Sequence, residues 1–177
     1  MTNQFAYDAS VEHFLATTGE DWPYTLDNGR SANTYLVNDG PGTHPGLWEL
    51  PVHEFMPPTG WAGVTGLDYN IWCAKKMSTT DALNMLKASL DLRFKGDPAR
   101  SAPANRAPFF VGAHSDLYAT NNPDGSACAN TVAQRRQVIE QFLDYALQYD
   151  PAVRVVPYVQ VMNWMQHPIG LDGTKGH

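Results

Sequence analysis

Short apolar runs alternate with amphipathic helical segments along this 177-residue chain. The runs are "GLWELPVHEF" (46–55), "PFFVGA" (108–113) and "VRVVP" (153–157), and a helical pattern follows each of them. This order is typical of βαβ units, whose strands pair in a parallel sheet. The sequence therefore predicts an α/β fold.

Two of the helices have clear limits. The first begins at Ser78, where S-T-T-D forms a capping box with Asp81 in place of the usual Glu, and it ends at Gly96. A second helix is predicted over 131–149. Each helix has one apolar stripe that is expected to face a core. The stripe residues are Leu83, Leu86, Leu90 and Phe94 in the first helix, and Val138, Phe142, Tyr145 or Ala146, and Tyr149 in the second.

Residues 17–46 have the composition of loops, since Thr, Gly, Asn, Asp and Pro dominate them. They predict a long surface insertion near the N-terminus. In the run that follows, alternate residues fall on opposite faces of a strand. The face with Trp48, Leu50 and Val52 is expected to be buried, and the face with Glu49 and His53 to be exposed.

The composition excludes several classes of partner. A net charge of -6 and a pI near 5.4 argue against nucleic acid and anionic membranes, whose binding relies on clustered Lys and Arg. No stretch approaches the roughly 18 apolar residues of a membrane span, and the N-terminus lacks the pattern of a signal peptide.

Cys73 and Cys128 could form a disulfide. Their spacing alone does not decide whether they do, nor in which cellular compartment the chain resides.

His114 follows the apolar run of the stretch "NRAPFFVGAHSDLY" (105–118) and precedes a polar loop. It is therefore predicted to stand at the C-terminal end of a strand, where active groups gather in parallel sheets. A solitary histidine is, however, more often a structural or merely exposed residue, so both readings stay open at this point.

Five segments together resemble the C-terminal half of a polysaccharide deacetylase of the NodB-type carbohydrate esterase class. Within that class they are most similar to the chitin deacetylases. They are "FAYDAS", "WPYTLDNG", "GLWELPVHEF", "NRAPFFVGAHSDLY" and "QFLDYALQYDPAVRVVPYVQVMNWM". Their order and approximate spacing match that family over nearly the whole chain. The resemblance implies that residues 1–177 form one partial domain, the C-terminal half of a distorted (β/α) barrel with strands five to eight, interrupted by the loop-rich insertion at 17–46.

The same resemblance implies a hydrolase chemistry. In that family a divalent metal, usually zinc, held by one Asp and two His activates a water that attacks an N-acetyl group, and an Asp acts as base. A late histidine protonates the leaving amine, and His114 matches its position. Imidazole suits this role because its pKa can be set near working pH. Asp8 is the second candidate catalytic residue that the resemblance implies, because it aligns with the family's fourth motif, although Val11 and Glu12 replace its usual ending.

Other family motifs are absent. No Asp-Asp pair corresponds to the T-F-D-D segment, and the six histidines never fall at the H-x-x-x-H spacing. No metal ligands are therefore predicted in this chain, and zinc or another divalent metal is expected only for a complete enzyme. Arg106-Ala107-Pro108 matches the R-x-P motif, but it lies too near His114 and is interpreted as the approach to the fifth motif, with Arg106 in a salt bridge or as a surface charge.

Trp48, Trp61 and Tyr118 are the candidate substrate-binding residues, because aromatic rings stack on sugar faces, although packing is the more usual role of such rings. Trp22 and Trp164 are assigned to packing.

The leading hypothesis is that this chain is part of a polysaccharide N-deacetylase that acts on chitin-like or peptidoglycan-like N-acetylated polymers. The metal-binding half then lies outside this chain, so that this chain alone is inactive. The alternatives are a non-catalytic half-barrel that binds glycan or a partner protein, and a structural remnant. Unpaired strand edges further predict self-association or docking on the other half.

Overall fold

The computed structural model describes residues 6–35, 42–68, 70–122, 124–149 and 153–170. It has mixed α/β content, with helices and two small sheets. The strands are β1 (Tyr7–Asp8), β2 (Glu12–His13), β3 (Tyr24–Thr25), β4 (Trp48–Glu49) and β5 (Val52–His53). The α-helices are α1 (Thr79–Lys95), α2 (Val132–Tyr149) and α3 (Tyr158–Gln166), and single turns of other helix types occur at Leu26–Asn28, Asn70–Ala74, Pro98–Arg100 and Ser115–Tyr118.

The sheets join the start of the described chain to the run at 48–53. β1 pairs with β4 and β2 pairs with β5, both in parallel, while β3 pairs with β4 antiparallel. Pro51, which has no N–H to donate, stands where the run breaks into β4 and β5. Residues 17–46 contribute β3 to this sheet, and they also contribute Leu26, which is buried.

Both predicted helices are present. Ser78 Oγ accepts a hydrogen bond from the N–H of Asp81 at 3.0 Å, which satisfies one of the free donors at the start of α1. Gly96 ends the helix with φ of 71°, and a Cβ there would lie 2.5 Å from the carbonyl oxygen of Ala102. Only glycine fits this close, left-handed turn.

α1 and α2 pack around one apolar core with the turn at 70–74 and the segment 55–67. Its buried members include Phe55, Trp72, Leu86, Phe142 and Ala146. The disulfide Cys73–Cys128 joins this core to the loop that precedes α2. The pairing that the sequence left open is therefore formed.

Three predictions about strands are wrong. Residues 108–113 and 153–157 form no strand, although both runs are apolar. The first run has a backbone hydrogen bond from Leu67 N–H to the Gly112 carbonyl, at 2.9 Å, but no strand ladder lies beside it in the described part of the chain. The second leads into Pro157, which caps α3. In the run at 46–55, Glu49 and His53 are buried instead of exposed.

Candidate functional site

His114 is held at the surface by Asp68. Oδ1 of Asp68 accepts a hydrogen bond from the backbone N–H of His114 at 2.8 Å and lies 3.0 Å from its Nδ1. The bond between Leu67 and Gly112 brings the two segments side by side. The His114 side chain is 83% exposed, so its ring faces solvent while one ring nitrogen is fixed by a carboxylate.

The loop that follows His114 is held by hydrogen bonds from its own backbone and from the side chain of Arg135. The N–H of Leu117 donates to the carbonyl of His114 at 3.0 Å and closes the turn Ser115–Tyr118. The buried side chain of Arg135, on α2, donates to the carbonyls of Leu117 and Ala119, each at 2.5 Å. Arg135 and the nearby disulfide therefore hold the loop in one position.

The three candidate substrate-binding residues differ in exposure and lie on different elements of the fold. Tyr118 is 59% exposed and lies in the turn after His114. Trp61 is half-buried against the apolar core, with the Lys75 ammonium 5.9 Å from its ring centre. Trp48 is half-buried on β4, where it pairs with Tyr7. Of these three residues, Tyr118 is the one that belongs to the turn directly after His114.

Asp8 and Arg106 have local partners of their own. The carboxylate of Asp8 accepts hydrogen bonds from the N–H of Ser10 at 3.0 Å and from its hydroxyl at 2.6 Å. Arg106 is exposed, and its guanidinium lies 5.3 Å from the ring centre of Phe94. Asp8 therefore lies on the three-stranded sheet, whereas the partner that orients His114 is Asp68.

The packing roles assigned to Trp22 and Trp164 are compatible with their contact. The two rings stack with centres 6.3 Å apart, and the Trp22 indole N–H donates to the carbonyl of Asn105 at 3.1 Å. Trp164 lies on α3 and is nevertheless 44% exposed, so its contact with Trp22 covers the ring only in part.

A buried polar cluster lies behind the sheets. His13 is fully buried, with Nδ1 2.9 Å from Asp21 Oδ2 and Nε2 3.8 Å from Glu49 Oε1. Burial lowers the pKa of His13, but the carboxylates of Asp21 and Glu49 raise it by more, so it lies above the ordinary 6.5. Burial raises the pKa of Asp21, but hydrogen bonds from His13, Ser31 and Asn33 together lower it further than that. His13 and Asp21 thus form an ion pair inside the protein.

The second part of this cluster centres on the Glu20 carboxylate. Its Oε2 lies 3.6 Å from His53 Nε2 and 3.8 Å from Arg93 Nη2. Burial, reinforced by the charge of Arg93, lowers the pKa of His53 to about 3, so this ring is neutral near pH 7. Burial also lowers the pKa of Arg93 to about 10, against the effect of Glu20, which leaves it a cation. Because Glu20, His53 and Arg93 are buried, their charges and hydrogen-bonding groups interact mainly with one another in the interior.

The residues present do not fit the zinc that the resemblance implies. Within the described part of the chain, no three His, Cys, Asp or Glu side chains are grouped so that they could hold a metal ion. His114 and Asp68 supply two potential ligands, whereas a hydrolytic zinc needs three protein ligands around one open position. No chemistry through a metal is therefore assigned to these residues.

The comparisons with known proteins add no family. No protein-family model matches the chain, and none of the curated proteins matches it. Within the described residues, no helix combines the length and the apolar character needed to cross a membrane.

Proposed function

We propose that this chain is part of a metal-dependent polysaccharide N-deacetylase and supplies its proton donor. The observation that carries the proposal is the pair His114 and Asp68, with the imidazole exposed and its Nδ1 3.0 Å from the carboxylate. A carboxylate on one ring nitrogen fixes the orientation and tautomer of the imidazole and leaves the other nitrogen for proton transfer. The motif resemblance around His114 gives the reaction class.

The role of His114 is limited to one step. As the carbon–nitrogen bond of the acetamido group breaks, the proton on Nε2 passes to the departing amine nitrogen, and Asp68 stabilises the charged form of the ring before that transfer. Tyr118, in the next turn, offers an exposed aromatic face to a neighbouring sugar ring. In this proposal the metal ligands and the base belong to residues outside this chain.

The test uses the full gene product that contains this chain. Its coding sequence before Met1 should contain a T-F-D-D segment, and the purified protein should release acetate from N-acetylglucosamine oligomers. His114→Ala should lower turnover by roughly 10²–10⁴-fold, as expected for the loss of a general acid. His167→Ala, which changes an exposed histidine after α3, is the matched control and should keep full turnover. Equal turnover of the two variants, or no acetate release by the unmodified protein, would reject the proposal.

A second candidate is a non-catalytic half-barrel that binds a partner. Exposed apolar side chains concentrate at the end of the described chain, and such surfaces mark interaction sites. Their exposed fractions are 68% for Val155, 54% for Val159, 44% for Trp164 and 51% for Ile169. Sedimentation equilibrium distinguishes this candidate: association that Val159→Asp and Trp164→Ser abolish, in a gene product without acetate release, would favour it over the enzyme.

A further inference from the structure

A large cavity lies between α1, α2 and the segments 106–113 and 153–161. Its volume is about 760 Å³, and four phenylalanine rings line it: Phe94, Phe109, Phe110 and Phe142. Phe109 meets Phe142 edge to face, with ring centres 5.7 Å apart. Cavities of this size and character commonly hold small molecules, and aromatic walls favour a flat aromatic occupant that packs against them by stacking or edge to face.

One charged side chain in the wall of this cavity has unused hydrogen-bond donors. Arg93 is 1% exposed and lines the cavity, with its guanidinium carbon 4.5 Å from the ring centre of Phe109. Its Nη1 donates to the carbonyl of Ser89 at 2.6 Å, whereas its Nε and Nη2 have no hydrogen-bond partner among the described residues. A buried donor without an acceptor is costly, so an oxygen acceptor bound in the cavity would stabilise the protein at this point.

The charges around Arg93 favour an uncharged acceptor. Nη2 of Arg93 and Nε2 of His53 lie 3.8 and 3.6 Å from the same oxygen of Glu20, so the Glu20 carboxylate already faces the cation. Burial keeps His53 neutral near pH 7. Asp21 also lines the cavity, and its carboxylate is paired with His13. An anionic ligand would therefore place a further negative charge close to two carboxylates in a desolvated site.

We infer that the cavity binds an uncharged aromatic carbonyl compound, whose carbonyl oxygen accepts a hydrogen bond from Nε of Arg93 while its aromatic body packs among the phenylalanine rings. A carbonyl oxygen is purely an acceptor, so it matches a guanidinium group, which offers only donors. A hydrocarbon would leave these donors unused, and a saccharide would place its hydroxyl groups against apolar walls. His114 does not line the cavity, so the inference does not depend on the proposed deacetylase activity.

Benzophenone and diphenylmethane test the inference on the full chain, because they are similar in size and differ in the carbonyl group. Equilibrium dialysis should show one benzophenone bound per chain, with an affinity roughly tenfold or more above that of diphenylmethane, as expected for a hydrogen bond to a charged group. Diphenylacetate, a charged analogue, should bind more weakly than benzophenone. Irradiation of the benzophenone complex should attach the ligand to peptides of the cavity wall, such as 106–113 or 153–161, which mass spectrometry identifies.

Arg93→Lys tests the donor, since it keeps a cation beside Glu20 but removes the Nε–H group. The preference for benzophenone over diphenylmethane should fall to about threefold or less, because the hydrogen bond that creates it is lost. Arg136→Lys, the same exchange at an exposed position of α2, is the matched control and should keep the preference of the parent.

If Arg93→Lys fails to fold, the ligand comparison and the photolabelling of the parent protein still decide the question. Absence of saturable binding, equal affinity for benzophenone and diphenylmethane, or tighter binding of diphenylacetate would overturn the inference. Labelling confined to peptides outside the cavity wall would overturn it as well, and so would a folded Arg93→Lys variant that keeps the full preference for benzophenone.

Discussion

Nδ1 of His13 lies 2.9 Å from Oδ2 of Asp21, and the imidazole is completely buried. The pKa of His13 is raised, so its contribution to stability is complete below pH 6.5 and is lost as the pH rises through the folded-state pKa. The pKa of Asp21 is lowered, so its contribution is complete above pH 3.8 and is lost as the pH falls through the folded-state pKa. The ion pair therefore stabilises the fold most between these two values.

The first prediction is that His13→Gln removes the alkaline limb of this pH dependence. Urea unfolding across the pH range should show a loss of about 3 kcal/mol near pH 5, since Asp21 and Glu49 are left without their cation. The difference from the parent should shrink above neutral pH. His167→Gln should reproduce the parent curve, and a pH-independent difference for His13→Gln would show that the ring acts only by packing.

The disulfide Cys73–Cys128 gives a second prediction. It closes a loop with a sequence separation of 55, and the entropy removed from the unfolded chain corresponds to about 4 kcal/mol. Cys73→Ala with Cys128→Ser should therefore lower the free energy of unfolding by a comparable amount. Parent protein treated with dithiothreitol should match the double variant, and the double variant itself should not respond to the reductant. A double variant as stable as the parent would contradict this prediction.

Arg135 is predicted to be structurally essential to the loop after His114. Arg135→Met keeps the aliphatic packing but leaves the carbonyls of Leu117, Ala119 and Asn130 without their donors. The expected cost is about 2–3 kcal/mol, the penalty for buried polar groups that lose a charged partner. Hydrogen exchange should also become faster at Leu117, whose N–H donates to His114. Arg136→Met, on the exposed face of α2, should change neither measurement.

The cap of α1 gives the fourth prediction. Ser78→Ala removes the acceptor for the N–H of Asp81 and should destabilise the protein by about 1 kcal/mol in thermal or urea unfolding. Ser78→Thr retains a hydroxyl at the same position and should recover most of this loss. If the two variants unfolded alike, the hydroxyl would not be acting as a cap.

The helices could be predicted from the sequence because their signals are local. Ser78 and Gly96 mark the two ends of α1, and the stripe containing Val138, Phe142 and Ala146 is the buried face of α2. Such features depend on residues a few positions apart, so no knowledge of the rest of the chain is needed.

The strands and the polar interior depend on distant residues instead. Glu49 and His53 resemble exposed strand positions, but each is buried beside a group from the N-terminal region, His13 in one case and Glu20 in the other. Likewise, nothing local indicated that Asp68, which is 46 residues away, would be the hydrogen-bond partner of His114. Alternation alone assigns a strand face by hydrophobicity and cannot identify charges that neutralise one another in the interior.

The parallel pairing of β1 with β4 constrains the order in which the chain can fold. Tyr7 meets Trp48, and Glu12 meets Val52, so the first strands have no partner until residues 48–53 are available. Such long-range pairing must overcome the entropy of closing the intervening loop, and it forms slowly. During synthesis, a nascent chain that has not reached residue 48 therefore presents Val11, which is buried in the finished fold, together with unpaired strand groups. At that stage the emerging chain is a target for chaperones and proteases.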